Sequence, residues 1–350
     1  MAMAEIEVFG AGIFGLTIAF TLQKRGAAVR LIEKRSIGAG ASGGVVGALA
    51  PHTPDSWNDK KQFQFESLIA TESFWAEVDS LSGLSSGYGR IGRLVALETE
   101  REHFLAQGRV KSAVDFWGNQ AQWRVVPAGG DGDWAPASKT GFLAFETLSA
   151  RIMPKDACAS LAAAFVALGG EICVGTTTGK GAQATVCCTG YEGLRALSHD
   201  LNAPFGKGVK GQGVLLAHPA AGQPQVFADG LHIIPHANGT VAVGSTSEID
   251  WQDPTATDNQ LDLLLARAGD ICPRLKGADI LQRWAGVRPR GPKRVPVLGR
   301  HPLKDRTYIA NGGFKIGFGV AVRAGQVMAD LILNGTADIP LGFSVQANLK

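Results

Sequence analysis

The 350-residue sequence lacks long apolar runs and lacks an excess of either charge. Its longest apolar stretches, such as residues 161–168, are far shorter than the roughly 18 residues that a membrane span needs. Basic and acidic residues number 34 and 31, giving a formal net charge of +3, which argues against a protein that coats nucleic acid or acidic membranes. The first residues show neither a basic segment nor a cleavage site, so we expect no secretory signal.

Cysteine is also sparse, whereas glycine is abundant. The five cysteines form an odd number without metal-ligand spacing, which predicts a reducing, cytoplasmic location and no metal site. Because 45% of the residues are hydrophobic and 19% are charged, the chain is predicted to fold around a large core. The 46 glycines are well above the usual share of about 7%. They indicate places where the backbone comes close to a large ligand.

The chain opens with a pattern typical of a βαβ unit. Residues 5–9 predict a buried strand, residues 13–25 have helical periodicity that stops at Gly26, and residues 28–33 predict a second strand. Strand, helix and strand within about 30 residues indicate a parallel sheet.

The middle of the chain has a different pattern. Long helices are predicted at 60–81, 99–116 and 154–168, and a last helix at 320–333. Between them, residues 208–247 consist of short apolar strands separated by turns, which is typical of an antiparallel sheet.

The alternation of these patterns predicts two discontinuous domains. We assign residues 1–55, 140–207 and 285–350 to a nucleotide-binding α/β domain, and residues 56–139 and 208–284 to a β-rich α+β substrate-binding domain inserted in it.

Residues 10–15 match G-x-G-x-x-G at the junction of the first strand and helix. The first glycine permits a tight turn, the second lets a pyrophosphate approach the backbone, and the third lets the helix pack on the strand. The phosphates would meet the helix N-terminus, which favours negative charge. Glu33 ends the second strand, where a carboxylate accepts hydrogen bonds from adenosine ribose hydroxyls and repels a 2′-phosphate. The motif therefore predicts a dinucleotide other than NADP.

Two further glycine-rich loops favour FAD over NAD. Residues 40–47 follow soon after Glu33, and residues 311–319 lead directly into the final helix. The N-terminus of that helix carries partial positive charge, like the N-terminus of the helix at 13–25, and would point at an electron-rich group. Two such sites at opposite ends of the sequence suit a cofactor that stretches across the domain, namely FAD with its isoalloxazine ring.

Most of the chain resembles the D-amino acid oxidase/glycine oxidase family of flavoproteins. The segments that carry the resemblance are GAGIFG with Glu33, ASGGVVGALAPH (41–52), CCTG (187–190), IIPHANGTVAVGSTSE (233–248), GVRPRGPKRVPVLGRHP (286–302) and NGGFKIGFGVAVRAG (311–325). The resemblance implies a Rossmann-like FAD-binding domain of the glutathione-reductase type, with non-covalent FAD and a substrate domain over the flavin. The family usually has a β-meander of some 20 residues between the strands predicted at 171–174 and 184–189. Here only about nine residues intervene, so we expect a reduced covering on the adenine side.

Motifs and resemblance together predict the cofactor-binding residues. They are Gly10, Gly12, Ile13, Phe14, Gly15, Glu33, Lys34, Ala41, Ser42, Gly43, Gly44, Gly47, Ala48, Thr189, Gly190, Gly286, Gly313, Phe314, Lys315, Ile316 and Gly317.

Arg288 and Lys315 are the basic residues expected at the substrate. A planar guanidinium suits a carboxylate, and Arg288 matches the family's carboxylate-binding arginine in its G-x-R-P strand. Its alternative is a solvated or salt-bridged strand residue. In an extended strand, Arg290 lies on the same face as Arg288. It would be either a second anchor for the carboxylate or a surface charge. Lys315 stands where the family often has Arg, so it would bind a carboxylate as a point charge, stabilise an anion on the flavin, or face solvent.

Two histidines complete the predicted catalytic set. His232 falls where glycine-oxidase-like sequences have a substrate-contacting Tyr, and the alternative is a strand histidine facing solvent. His52 follows the second glycine loop and is expected over the flavin or as a loop cap. His236 is expected on the surface.

We therefore predict an FAD-dependent oxidoreductase that oxidises the C–N bond of a small amine or amino acid by hydride transfer to flavin N5, with Arg288 on the carboxylate. Oxygen or an electron carrier would reoxidise the flavin; nucleic acid is not expected as a partner, and the oligomeric state is open. The alternatives are a 2-hydroxy acid dehydrogenase, an FAD enzyme of tRNA wobble-uridine modification, and a flavin-binding subunit without turnover.

Overall fold

A computed structural model describes residues 5–129 and 132–349 of the chain. Its helices are α1 (Ile13–Lys24), α2 (Asp59–Ser82), α3 (Glu100–Trp117), α4 (Pro154–Ala167), α5 (Gly190–Asp200), α6 (Asn259–Ile271), α7 (Gly317–Asn334) and α8 (Val345–Asn348). Its strands are β1 (Ile6–Phe9), β2 (Val29–Glu33), β3 (Ala48–Leu49), β4 (Gly89–Arg90), β5 (Arg93–Ala96), β6 (Trp123–Pro127), β7 (Phe142–Glu146), β8 (Ala150–Arg151), β9 (Glu171–Val174), β10 (Ala184–Cys187), β11 (Lys207–Ala217), β12 (Gln225–Ala228), β13 (Leu231–Pro235), β14 (Thr240–Gly244), β15 (Ile280–Arg290), β16 (Val297–Arg300) and β17 (Thr307–Asn311).

The first sheet has six strands in the order β16-β17-β10-β1-β2-β9. All its pairings are parallel except that of β16 with β17. Helix α1 packs on both α4 and α7, and the three helices form the main hydrophobic core with this sheet. Helix α1 is buried along most of its length, from Ile13 to Leu22, as expected of a helix covered on both sides. The predicted opening βαβ unit is therefore the centre of this sheet.

The second sheet has eight strands in the order β15-β11-β14-β13-β12-β5-β7-β6. The run from β15 to β12 is antiparallel, as the strand-turn pattern predicts. The pairing of β12 with β5 is parallel, and it joins two segments about 130 residues apart in sequence. Helix α6 covers one face around Val214, Val243 and Leu264.

Two elements pack with the domain other than the one to which their residue range assigns them. The domain ranges themselves stay a prediction. Strand β7, within 140–207, pairs with β5 and β6 in the eight-stranded sheet. Helix α2, within 56–139, packs on α7 and α4. A third, small sheet has the order β3-β8-β4. The ends of the ranges, residues 1–4 and 350, lie outside the described residues.

The connection between β9 and β10 is short. Residues 175–183 are all described and contain no strand, in agreement with the reduced covering expected from the sequence. The Lys180 N–H donates to the Glu7 carboxylate over 2.7 Å, so the loop is held at the central strand β1.

Within the two described stretches, we find no helix of the length and apolarity that crossing a membrane requires.

Candidate functional site

A single elongated cavity of about 1130 Å³ lies along the carboxyl ends of β1, β2, β10 and β17 and continues beneath the eight-stranded sheet. At the centre of the parallel sheet, chain order reverses on either side of β1. Such a switch point opens a crevice at the strands' carboxyl ends, where ligands bind in α/β folds. The cavity has room for a dinucleotide and leads on to the predicted substrate residues.

The glycine turn forms one wall of the cavity. Gly10 has a φ of +100°, and a Cβ there would lie 2.6 Å from the Cys188 carbonyl oxygen. Gly10 and Gly12 line the cavity, as do Ile13 and Phe14. Gly15 is not among the lining residues; a side chain on it would overlap the Gly10 carbonyl oxygen. The structure therefore gives Gly15 the packing role that the motif predicts, and its contact with the cofactor stays a prediction.

Glu33 lies at the cavity wall but also holds its loop. The buried carboxylate accepts hydrogen bonds from the Ala11 N–H and the Arg35 N–H, each over 2.8 Å. Each oxygen keeps a second lone pair for a ribose hydroxyl. Lys34 lines the cavity beside it and pairs with Glu192 over 3.4 Å.

The second glycine loop closes over the start of α1. The Ile13 N–H donates to Ser42 Oγ over 3.0 Å. Of the predicted residues in this loop, Ala41, Ser42, Gly44, Gly47 and Ala48 line the cavity.

Gly43 does not line the cavity. A side chain there would overlap the Gly38 carbonyl oxygen, so tight backbone packing, rather than ligand contact, explains this glycine.

The loop before α7 lies at the far end of the cavity. All its predicted residues line the cavity: Gly313, Phe314, Lys315, Ile316 and Gly317. The Phe314 N–H donates to the Pro289 carbonyl oxygen over 3.1 Å, which places this loop next to the end of β15. Thr189, Gly190 and Gly286 also line the cavity.

Four helices begin at the cavity, and their N-cap residues provide no side-chain hydrogen bond. These are α1, α4, α5 and α7. The N-cap side chains of α2, α3, α6 and α8 do cap their helices. Helix N-termini carry partial positive charge and N–H groups without a partner in the helix, although at α1 the Ile13 N–H is already bound to Ser42 Oγ. The cavity therefore favours a ligand with anionic or electron-rich groups.

Arg288 projects from β15 into the cavity. Its Nη2 donates to Ser245 Oγ over 2.6 Å, and its Nη1 donates to the Thr246 carbonyl oxygen over 3.2 Å. Burial lowers the pKa of Arg288 to about 10, so the guanidinium stays protonated at neutral pH. Gly211 on the paired strand leaves the space in which the guanidinium lies. Arg288 is half-buried and forms no salt bridge within the described residues.

His232 also lines the cavity, against the ring of Phe227 at 4.7 Å between centroids. Burial, and then the positive charges of Arg93, Lys315 and Arg288, lower the pKa of His232 to about 3. The ring is therefore neutral at physiological pH. Its Nδ1 is buried and has no hydrogen-bond partner among the described residues.

Lys315 lines the cavity with its Nζ 5.8 Å from the centroid of the Phe314 ring. Burial and the neighbouring Arg288 lower the pKa of Lys315. Arg290 lies 6.0 Å from the same ring centroid but is not one of the lining residues.

His52 is held by the buried side chain of Gln64. The His52 N–H donates to Gln64 Oε1 over 2.8 Å, and Nδ1 also bonds to that oxygen. Because an amide oxygen only accepts, Nδ1 carries the proton and Nε2 is left as the acceptor. Burial lowers the pKa of His52, so this neutral form is favoured at the cavity wall.

The prediction of His236 on the surface is wrong. It is 1% exposed, and its Nε2 bonds to the Val45 carbonyl oxygen over 2.9 Å, tying β13 to the second glycine loop. The apolar residues Ile233 and Ile234, just before His236, could have indicated that it is buried. Sequence reasoning also did not identify three further residues that line the cavity, Phe227, Tyr191 and Trp284.

Comparison with known proteins gives a consistent picture. Residues 5–331 match the model of the DAO family, described as FAD dependent oxidoreductase. Glycine oxidase from Bacillus licheniformis is 26% identical over 349 residues, which cover 93% of this chain and 92% of that protein. The crystal structure of glycine oxidase from Geobacillus kaustophilus superposes with a TM-score of 0.87 at 22% identity, covering 99% of each chain. Iminodiacetate oxidase from Chelativorans sp. BNC1 superposes with a TM-score of 0.84 at 22% identity, covering 96% of this chain and 97% of that one.

Proposed function

This chain belongs to the DAO family of FAD-dependent oxidoreductases, and we propose that it oxidises the C–N bond of a small amine or amino acid whose carboxylate is bound by Arg288. The family match confirms the resemblance seen in the sequence, the α/β fold class and the dependence on FAD. Glycine oxidases among the relatives support an amino acid or amine as substrate.

The cavity fits FAD on the evidence of its own residues. Gly10 admits no side chain, Glu33 can accept from a ribose, and the uncapped start of α1 suits a pyrophosphate. The loops at 40–47 and 311–319 would then hold the flavin half, at the substrate end of the cavity. When bound, FAD supplies the acceptor to which the substrate hydride is transferred, at flavin N5.

Arg288 is the observation that carries the proposal. Its guanidinium faces the cavity, is protonated, and is held in place by a hydroxyl and a carbonyl oxygen rather than by a carboxylate. A cation positioned in this way has no salt bridge among the described residues, although the charge of Glu248 acts on it, and it is suited to the carboxylate of a substrate. Fixing that carboxylate fixes the direction of the neighbouring C–N bond.

The two histidines would act as neutral groups. His52 presents Nε2 as an acceptor, so it would accept a hydrogen bond from the substrate amine. His232, packed on Phe227, would shape the pocket and, together with Lys315, exclude water above the flavin. None of these steps needs a charged histidine.

A substrate panel with Arg288 variants tests the proposal. The flavin-loaded enzyme is mixed anaerobically with amino acids, N-methyl amino acids and 2-hydroxy acids, and loss of flavin absorbance is followed. We expect an amine to reduce the flavin, and Arg288→Ala to raise its KM about 10- to 100-fold, since a hydrogen bond to a charged group contributes roughly 1.5–3 kcal/mol. Arg288→Lys should recover part of that loss.

Reduction by hydroxy acids alone would contradict C–N oxidation, and an unchanged KM in Arg288→Ala would remove Arg288 from the role. Repeating the turnover in air, with peroxide measured, distinguishes oxygen from another electron carrier as the acceptor.

A further inference from the structure

The charges around the cavity are unevenly distributed. Its only acidic lining residues within the described chain are Glu33 and Glu192, and both lie at the nucleotide end, where Glu192 pairs with Lys34. The substrate end is lined by Arg93, Arg288 and Lys315. This end therefore has no carboxylate of its own in the cavity wall.

The three cations at the substrate end differ in how they are compensated. Arg93 is buried and pairs with the carboxylate of Glu146 over 3.1 Å, outside the cavity wall. Arg288 bonds only to Ser245 and to the Thr246 carbonyl oxygen. In residues 5–129 and 132–349, Lys315 forms no salt bridge; it is exposed, and its Nζ lies 5.8 Å from the centroid of the Phe314 ring.

Arg288 and Lys315 face the same space. The hydrogen bond from Phe314 N–H to the Pro289 carbonyl joins their two segments directly. The positive charges of both residues help to lower the pKa of His232. The histidines that share this space are neutral, so they compensate neither charge. A carboxylate bound to Arg288 would leave the exposed Lys315 ammonium without an anion, and a second substrate carboxylate would supply one.

We propose that the substrate carries two anionic groups, so that Arg288 binds one carboxylate and Lys315 binds the other. This inference rests on the proposed function and narrows its substrate class to dicarboxylic amines, such as N-carboxymethyl or acidic amino acids. A Lys suits the second group because its flexible point charge tolerates different spacings between the carboxylates. Two arginine guanidiniums, each planar and rigid, would accept only one spacing between the two carboxylates.

The test compares ligands that differ only in the second carboxylate. Oxydiacetate and methoxyacetate have an ether oxygen in place of the amine and cannot be oxidised at a C–N bond, so calorimetric titration of the flavin-loaded enzyme measures binding alone. We expect oxydiacetate to bind about tenfold more tightly, the effect of one charge-assisted hydrogen bond. Iminodiacetate and sarcosine, the matched amines, should differ in kcat/KM in the same direction.

Three variants assign the effect. Lys315→Met should bring the affinity ratio of the two ethers close to one, Lys315→Arg should restore it, and Lys139→Met, which removes an exposed lysine paired with Glu98, should leave it unchanged. A wild-type ratio of one or less overturns the proposal. So does a Lys315→Met variant that keeps the ratio and lowers turnover of both amines equally, since Lys315 would then act on the flavin.

The two proposals fail separately. If oxydiacetate binds more tightly but no amine reduces the flavin, the proposed function is wrong and the two-anion site stands. If sarcosine is oxidised as well as iminodiacetate, only the dicarboxylate inference is wrong.

Discussion

The two ends of the cavity are built in different ways. At the nucleotide end, the wall includes the backbone of Gly10 and Gly12 and the first turns of α1 and α5, with the Glu33 carboxylate beside them. At the substrate end, it is side chains from the eight-stranded sheet and the loop before α7, chiefly Arg288, His232 and Lys315. The first end depends on the absence of side chains and the second on their identity. Changes that add atoms should therefore damage the first end most, whereas changes of charge should act at the second.

The largest effect is expected where a side chain enters the backbone wall. In Gly10→Ala, the new Cβ would meet the Cys188 carbonyl, in addition to the roughly 1–3 kcal/mol that an unfavourable φ costs. We expect protein isolated without FAD, measured as flavin released on denaturation. Gly26→Ala is the control, since Gly26 also has a positive φ, +89°, but no atom within 4 Å of a Cβ. Equal flavin content in both variants would contradict the distinction between the two ends.

A smaller effect is expected when the substrate end is disturbed without loss of charge. In Gly211→Ala, the Cβ would displace the Arg288 guanidinium, which is the mobile end of a side chain, so folding should be kept. We expect KM to rise about tenfold with FAD content unchanged, since misplacing the fork loses about 1.4 kcal/mol of binding. The double variant with Arg288→Ala should then be no worse than Arg288→Ala alone. Additive effects would show that Gly211 acts elsewhere.

The smallest effect is a change in pH dependence. Burial lowers the pKa of His52, so in the wild type His52 gains a second proton only below its ordinary range. A carboxylate in Gln64→Glu would stabilise the imidazolium and raise that pKa. The acid limb of the kcat/KM profile should then move to higher pH by about one unit. Gln62→Glu, on the exposed side of the same helix, should leave the profile unchanged; a shift in both variants would point to general charge effects.

Much of the nucleotide end could be predicted from the sequence, because its determinants are local. The glycine turn, α1 and β2 follow one another directly, so spacing alone fixes their geometry. The limits of that reasoning appear at Gly15 and Gly43. Both belong to glycine motifs, but whether a glycine faces ligand or backbone depends on a neighbour's carbonyl that spacing does not reveal.

The substrate end was less accessible to sequence reasoning because its neighbours are distant in the chain. Arg288 was identified by its motif, yet the Gly211 clearance depends on a strand pairing across about 77 positions. The burial of His236 depends on the second glycine loop, 191 residues away. The tautomer of His52 depends on Gln64, which no motif marked. Periodicity describes a strand's faces but not the partner that each face meets.

The strand pairings beneath Arg288 and His232 have an evolutionary consequence. Residues Val209 and Gly244, which stand opposite them, join β15 and β13 to their neighbours through backbone hydrogen bonds. Because these hydrogen bonds join backbone atoms, the stability of the sheet does not depend on which side chains point into the cavity. New substrate preferences can arise by exchanging a few of these side chains while the nucleotide-binding glycines at the opposite end of the cavity are left intact.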